Sequence, residues 1–160
     1  EPVYSEPSFT NADCSSYRAY DGYSNYGPEL AIDNDANTAW NEGASGNGIG
    51  EYLIVSAGST QYVSGIDIRN GYQKVSSKYP NGELFYYNNR PSNVTISLAD
   101  GYSQTFDLAD AKGWQRLDFG DVHETTYIKV TINSVIEGTR WPDTCISDIH
   151  AFASSENSYS

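Results

Sequence analysis

The sequence predicts an all-β fold, a jelly-roll β-sandwich of antiparallel strands. Three observations lead there. Apolar and polar residues alternate with a period of two, clusters of Gly, Asn, Asp and Pro punctuate the alternating stretches, and no long stretch carries apolar residues at helical spacing. Many short strands with turn signals between them build sandwiches rather than alternating β and α units.

In chain order, the first strand candidate is residues 52–56. Ile66 and Ile68 then alternate with Asp67 and Arg69, and Val94, Ile96 and Leu98 with Asn93, Thr95 and Ser97. Residues 102–107 and 114–119 follow. Ile128, Val130 and Ile132 alternate with Lys129, Thr131 and Asn133, and residues 146–152 close the series. Each reads as a strand with one wet face. Short helical turns are expected only at residues 29–33 and 108–112. Three connections are too long for tight hairpins: 41–50, 71–90 and 134–143. Long loops on a rigid sandwich are where binding usually sits.

A length of 160 residues fits one domain with one core. Residues 9–153 are expected to form it. Residues 1–8 and 154–160 are polar, Pro- or Ser-rich and aperiodic, and read as linker ends. The start Glu-Pro-Val-Tyr has no signal-segment pattern, so an excised module or mature fragment of a larger multidomain protein, itself monomeric, is expected. A net charge of −12 argues against nucleic acid and anionic membrane surfaces, which reward Lys and Arg. No apolar run approaches the 18 or so residues of a membrane span. Neutral ligands and cations remain as partners. The 14 Tyr and 3 Trp supply flat rings with polar tips, which serve either as strand residues or as stacking surfaces for a ligand.

Cys14 and Cys145 lie near opposite ends of the chain, outside any Cys-x-x-Cys spacing. A disulfide is the simpler reading and two separate buried thiols the other. The disulfide suits an extracellular protein.

The stretch Ala31-Ile-Asp-Asn-Asp-Ala-Asn-Thr-Ala-Trp40 gathers Asp33, Asp35, Asn37 and Thr38 in one short loop. Hard cations such as calcium take six to eight oxygens, so the loop suits one chemically. It equally suits Asx-turns that bond their own backbone. The stretch resembles the opening signature of the discoidin, or coagulation factor type C, superfamily, a galactose-binding-like jelly roll. Further blocks resemble its NADase-type glycan-binding branch and bacterial carbohydrate-binding modules. They are Asn41-Glu-Gly-Ala-Ser-Gly-Asn-Gly-Ile-Gly-Glu-Tyr52, Asn70-Gly-Tyr-Gln-Lys74, Asn89-Arg-Pro91 and Gly138-Thr-Arg-Trp-Pro-Asp-Thr-Cys-Ile-Ser-Asp-Ile149. The resemblance implies a structural calcium held by Asp33, Asp35, Thr38 and Asp148 with the Ala31 carbonyl. Asp148 stands where relatives usually carry Glu. It also implies a bond between Cys14 and Cys145.

The resemblance further places the three long loops together at the end where relatives hold sugar. Sugar recognition needs a ring against the apolar face of a pyranose and polar partners for its hydroxyls. Trp141, Tyr72 and Tyr79 are the ring candidates, and Arg140, Asn70, Gln73, Asn89 and Arg90 the polar ones. Trp40 is expected in the core and Trp114 in the core or at an edge. Only His123 and His150 are present, and neither sits beside a nucleophile pattern, so catalysis is not expected. The function expected is that of a non-catalytic polysaccharide-binding module of a secreted bacterial glycan-degrading enzyme, directed at plant cell-wall β-glucan. The alternatives are a host-glycan module for galactose-type sugars, a protein-docking or translocation domain of a secreted toxin, and a glycosidase.

Overall fold

The structure, a computed structural model, describes residues 4–79 and 83–153; the segment 154–160 expected as a linker end lies outside them. The described residues form seven strands: β1 (Asn11–Cys14), β2 (Trp40–Asn41), β3 (Tyr52–Asn70), β4 (Arg90–Leu98), β5 (Ser103–Asp107), β6 (Trp114–Ile136) and β7 (Cys145–Phe152). One helix, α1 (Leu84–Tyr87), lies between β3 and β4. The strand order is β2-β7-β3-β6-β4-β5, with β1 also on β3, and every pairing is antiparallel.

The expected strands at 52–56 and 66–68 are two halves of β3, and those at 114–119 and 128–132 two halves of β6. The polar stretches between the halves keep their ladder partners, such as Gln61 with Thr125, so register shifts bend the strands without ending them. The first half of β3 pairs β1 and the second half pairs β7. A bulged strand can thus serve both layers of a sandwich. Gly65 sits at one shift, where a Cβ would lie 2.3 Å from the Leu117 carbonyl oxygen.

The apolar members of the alternating stretches meet between the layers. Leu53, Ile66, Ile68, Val94, Ile96, Ile128, Val130 and Ile132 are fully buried in one cluster with Trp40. Each such aliphatic side chain contributes about 1.5–3 kcal/mol against exposure. The turn expected at 29–33 is a single 3-10 turn, Pro28–Ala31, opened by a proline as helix starts favour. No helix forms at 108–112. There the Gln115 amide takes both backbone groups of Ala109, at 2.8 Å each, and Leu108 N–H donates to Ser92 O at 2.9 Å.

The expected disulfide is absent, and both thiols are free. Cys14 on β1 packs against the main core, whereas Cys145 is buried in a separate cluster with Tyr26, Ala39 and Tyr72. Burial raises the pKa of both thiols, furthest for Cys145, which disfavours the thiolate. At the N-terminal end Pro7 is buried, Ser8 N–H donates to Gln61 Oε1 at 3.0 Å, and Glu6 meets His150 Nε2 at 2.6 Å. No described helix is long and apolar enough to cross a membrane.

Candidate functional site

Helix α1 spans four residues, too short to satisfy its own last carbonyls. The 138–141 loop does so instead. Tyr86 O accepts from Thr139 N–H (3.0 Å), and Tyr87 O accepts from Arg140 N–H (3.1 Å) and Trp141 N–H (2.8 Å). The loop lies so close that a Cβ on Gly138 would sit 2.2 Å from Tyr87 O. Asn89 completes the seam: its Oδ1 accepts from Gly138 N–H at 2.7 Å and its N–H donates to Asp143 O at 3.0 Å. The third loop joins through Glu42, whose carboxylate accepts from Thr144 N–H (3.1 Å) and Ala44 N–H (2.9 Å). Glu42 is fully buried, and desolvation raises its pKa. It is a loop-joining residue that sequence reasoning did not single out.

Four of the expected sugar-binding polar residues form this frame rather than a free surface. Asn70, Gln73, Asn89 and Arg90 are all buried. Asn70 Nδ2 donates to Pro91 O (2.9 Å), and Gln73 Nε2 to Asn70 O (2.8 Å). Arg90 grips Asp110 at 2.5 and 3.1 Å and donates to the Phe85 and Asn88 carbonyls. The cause is general, because close-packed loops leave backbone groups that side chains must satisfy. Asn89 alone of the four also lines an open depression, with Arg140 and Trp141. Tyr72 departs from expectation too. It is 5% exposed, in the Cys145 cluster, and contributes to a pocket lining rather than to an outer platform.

Trp141 and Tyr79 do come together. Their rings meet edge to face at 6.0 Å, and Tyr87 meets each of them in the same way at 5.9 Å. The Arg140 guanidinium lies over the Trp141 ring at 4.7 Å. Trp40 is buried, as expected; Trp114 is partly exposed at the β3–β6 pairing, with Arg69 over its ring at 4.3 Å.

Trp141 and Tyr79 wall a depression of about 440 Å³ that also receives Arg18, Asp21, Lys74 and Lys78. Asp21 accepts from Tyr26 Oη (2.6 Å) and from the backbone N–H of Tyr23 and Ser24, which holds its pKa at about 2. Asn41 also lies in its wall, with a buried Oδ1 that has no hydrogen-bond partner among the described residues. On the other side of Trp141 a second depression, about 550 Å³, is lined by Asn47, Asn89, Glu137 and Thr139. Both volumes suit small-ligand sites. Neither His123 nor His150 lines them.

The oxygen-rich loop lies elsewhere. Asp33 Oδ1 accepts from Asp35 N–H (3.0 Å), Asp33 also accepts from the Thr38 hydroxyl, and Asp35 Oδ1 accepts from Asn37 N–H (2.9 Å). The Asx-turns are therefore formed, with Asn34 at φ 54°. Ala31 is fully buried at the end of the 3-10 turn. Asp148 comes from β7, 1% exposed, and neither of its oxygens accepts a hydrogen bond from a described residue. Arg69 Nη1 stands 3.5 Å away. Burial pushes Asp148 up to about 8 against the pull of Arg69, and Asp33 beside it adds to the rise. Among the described residues no group of three His, Cys, Asp or Glu side chains converges, so a cation here would also need the Thr38 hydroxyl and carbonyls. With that completion the donors fit a hard cation, which a buried carboxylate without a hydrogen-bond donor favours. Asn37 Oδ1 accepts from Val75 N–H at 3.1 Å and so links this loop to the Lys74–Lys78 wall of the depression.

Comparison with known proteins agrees with this architecture. The family 32 CBM of AlyQ, in complex with 4,5-unsaturated mannuronic acid, superposes with a TM-score of 0.64 at 20% identity over 94% of this chain and 100% of that one. The family 32 CBM of Clostridium perfringens NanJ, in complex with galactose, gives 0.64 at 18% identity over 89% and 92%. A chitosan-binding module of a Paenibacillus sp. IK-5 chitosanase/glucanase gives 0.63 at 16% over 89% and 94%. No curated protein matches the chain. These likenesses show a shared β-sandwich fold. The sequence profile of one family spans residues 3–152, so the chain belongs to the NAD glycohydrolase translocation F5/8 type C domain family.

Proposed function

We propose that this domain is a non-catalytic carbohydrate-binding module, carried by a larger secreted glycan-degrading enzyme, that holds polysaccharide against Trp141 and Tyr79. One observation carries the reading: two rings held edge to face wall a depression whose remaining lining mixes Leu84 and further tyrosines with polar groups, Lys74, Lys78, Ser76 and Asn88 among them. The ring walls take the apolar face of a sugar, and the polar lining replaces the water that its hydroxyls give up. The frame beneath fixes this geometry before any ligand arrives, which lowers the ordering cost of binding. The ligand we name first is a plant cell-wall β-glucan, because equatorial hydroxyls leave it flat apolar faces.

Calcium belongs to the same proposal. Asp33 and Asp148, with Asp35, Thr38 and the Ala31 carbonyl, would hold it. Bound there, it would neutralise the buried Asp148 carboxylate and stiffen the loop that Asn37 ties to Val75.

Affinity electrophoresis against cellulose derivatives, mixed-linkage glucan, xyloglucan, xylan, galactan, chitosan and alginate tests the reading, with and without chelator. Retardation by at least one polymer, lost in Trp141→Ala, is expected. No retardation on any of them, together with no binding on a glycan array, sinks it. A second reading, recognition of galactose-type host glycans, draws support from the NanJ likeness and would show as array binding without polymer retention. A third, docking of a toxin during translocation, draws on the family match. It requires a broad apolar patch; exposed Ile49, Val75 and Val122 come from separate loops and strands, and the exposed rings that do share one segment, Tyr17, Tyr20 and Tyr23, carry polar tips.

A further inference from the structure

Tyrosine recurs every third residue at Tyr17, Tyr20, Tyr23 and Tyr26, in a segment without regular secondary structure. Tyr26 is buried, but Tyr17, Tyr20 and Tyr23 are 57%, 63% and 94% exposed. Three large rings in water on one short segment are not explained by the core.

Their support is rigid. Trp40 Nε1 donates to Ser16 O (2.9 Å), Gly43 N–H to Ser16 Oγ (2.9 Å) and Arg18 N–H to Asn41 O (2.9 Å). The Arg18 guanidinium pairs with Asp143 at 3.0 Å and Asp21 at 3.7 Å, and lies over the Tyr26 ring at 5.0 Å. Asp143 follows Trp141 by two residues, so Arg18 fastens the tyrosine segment to the loop that carries the indole.

The same residues divide the surface. A third depression, about 530 Å³, is lined by Tyr17, Tyr20, Asn25 and Glu29. It shares Arg18 and Tyr26 with the depression beside Tyr79, which shares Trp141 with the one beyond. Three depressions therefore adjoin, one pair sharing a wall at Arg18 and Tyr26 and the other at Trp141.

Resting on the carbohydrate reading above, we propose that the site is a track for a linear glycan chain several sugars long, with a further subsite over Tyr17 and Tyr20. Rigid tyrosines offer contact area at low entropic cost, and adjoining subsites on one chain add their contacts within a single binding event. The occupant is the continuation of the chain seated at Trp141, because neighbouring depressions adjoin across shared walls.

Calorimetry on the intact domain with cello-, mixed-linkage gluco-, xylo- and chito-oligosaccharides of two and six residues tests it. In the series that binds, the hexasaccharide is expected to bind about tenfold or more tighter than the disaccharide. Tyr17→Ala with Tyr20→Ala should pull that ratio toward one while the thermal midpoint stays near that of the parent. Equal affinity at both lengths, or an undiminished ratio in the double variant, overturns the track and leaves the Trp141 site standing. No binding at either length in any series overturns the track, and blank polymer and array screens beside it overturn the carbohydrate reading on which it rests.

Discussion

At the loop end of the sandwich, Arg140 is exposed and Trp141 and Tyr79 are partly so, while Asn70, Gln73, Asn89 and Arg90 from the same connections are buried. The polarity one expects of a loop is inverted. The amides and one guanidinium face inward because the chain makes a four-residue helix, a close crossing at Gly138 and two isolated bridges, Asn89 with Thr144 and Gly71 with Ile146. Each leaves backbone groups that only side chains can reach. The rings are left outside, on a support they do not have to build. Frame and contact surface thus overlap at Asn88 and Asn89 but are otherwise different residues, and substitutions should separate them.

The largest effect on stability is expected from Arg90→Ala. Its side chain is 6% exposed, and its loss strands the Phe85 and Asn88 carbonyls, while Asp110, 42% exposed, rehydrates. A loss of about 3 kcal/mol, or roughly 6–12 °C in Tm, should appear in thermal unfolding. An unchanged Tm would break the distinction from the frame side. Trp141→Ala should do the opposite: glycan affinity falls about 30-fold or more, with unfolding shifted by less than about 1 kcal/mol. Calorimetry and thermal melts on the same sample decide it.

The Asp33–Asp148 loop offers a smaller and pH-dependent test. Asp148 at about 8 sits above an ordinary carboxylate, so the native metal-free protein holds a proton that the unfolded chain releases near pH 4. Metal-free stability should therefore fall as pH rises from about 4 to 8. Calcium needs the ionised form, so its stabilisation should grow over the same window, reaching about 3 °C or more in Tm at pH 8 and less at pH 5. Asp148→Asn should abolish the difference between calcium and chelator. A calcium shift equal at both pH values would remove Asp148 from the site. The smallest expected effect is that of reductant. With both thiols free, Tm should move by less than about 1 °C, and two thiols per chain should react after unfolding without reductant.

The strands were legible because one buried face imposes a period of two, and Val94, Ile96, Leu98, Ile128, Val130 and Ile132 all lie where the alternation puts them. The continuity of β3 and β6 was not, since polar bulged stretches look the same as turns in a sequence. Trp141 and Tyr79 were legible as rings in long loops. Which polar neighbours stay free was hidden, because it depends on where distant carbonyls fall: Gln73 is committed to Asn70, Ser147 and Gly113. Tyr17, Tyr20 and Tyr23 had a visible signal, a spacing of three. It fits neither strand nor α-helix, so it pointed to no face. The cysteines illustrate the limit of end-to-end pairing, since two residues near the ends of a chain can settle in different clusters of one fold.

Three main-chain N–H groups carry the anchoring of the 139–141 loop to the carbonyls of Tyr86 and Tyr87, and the Thr139 hydroxyl adds a longer contact to Tyr86 O at 3.5 Å. Any side chain other than proline at those positions inherits the same mooring. A substitution at 141 therefore exchanges one ring of the proposed contact surface while the main-chain mooring beneath it stays in place.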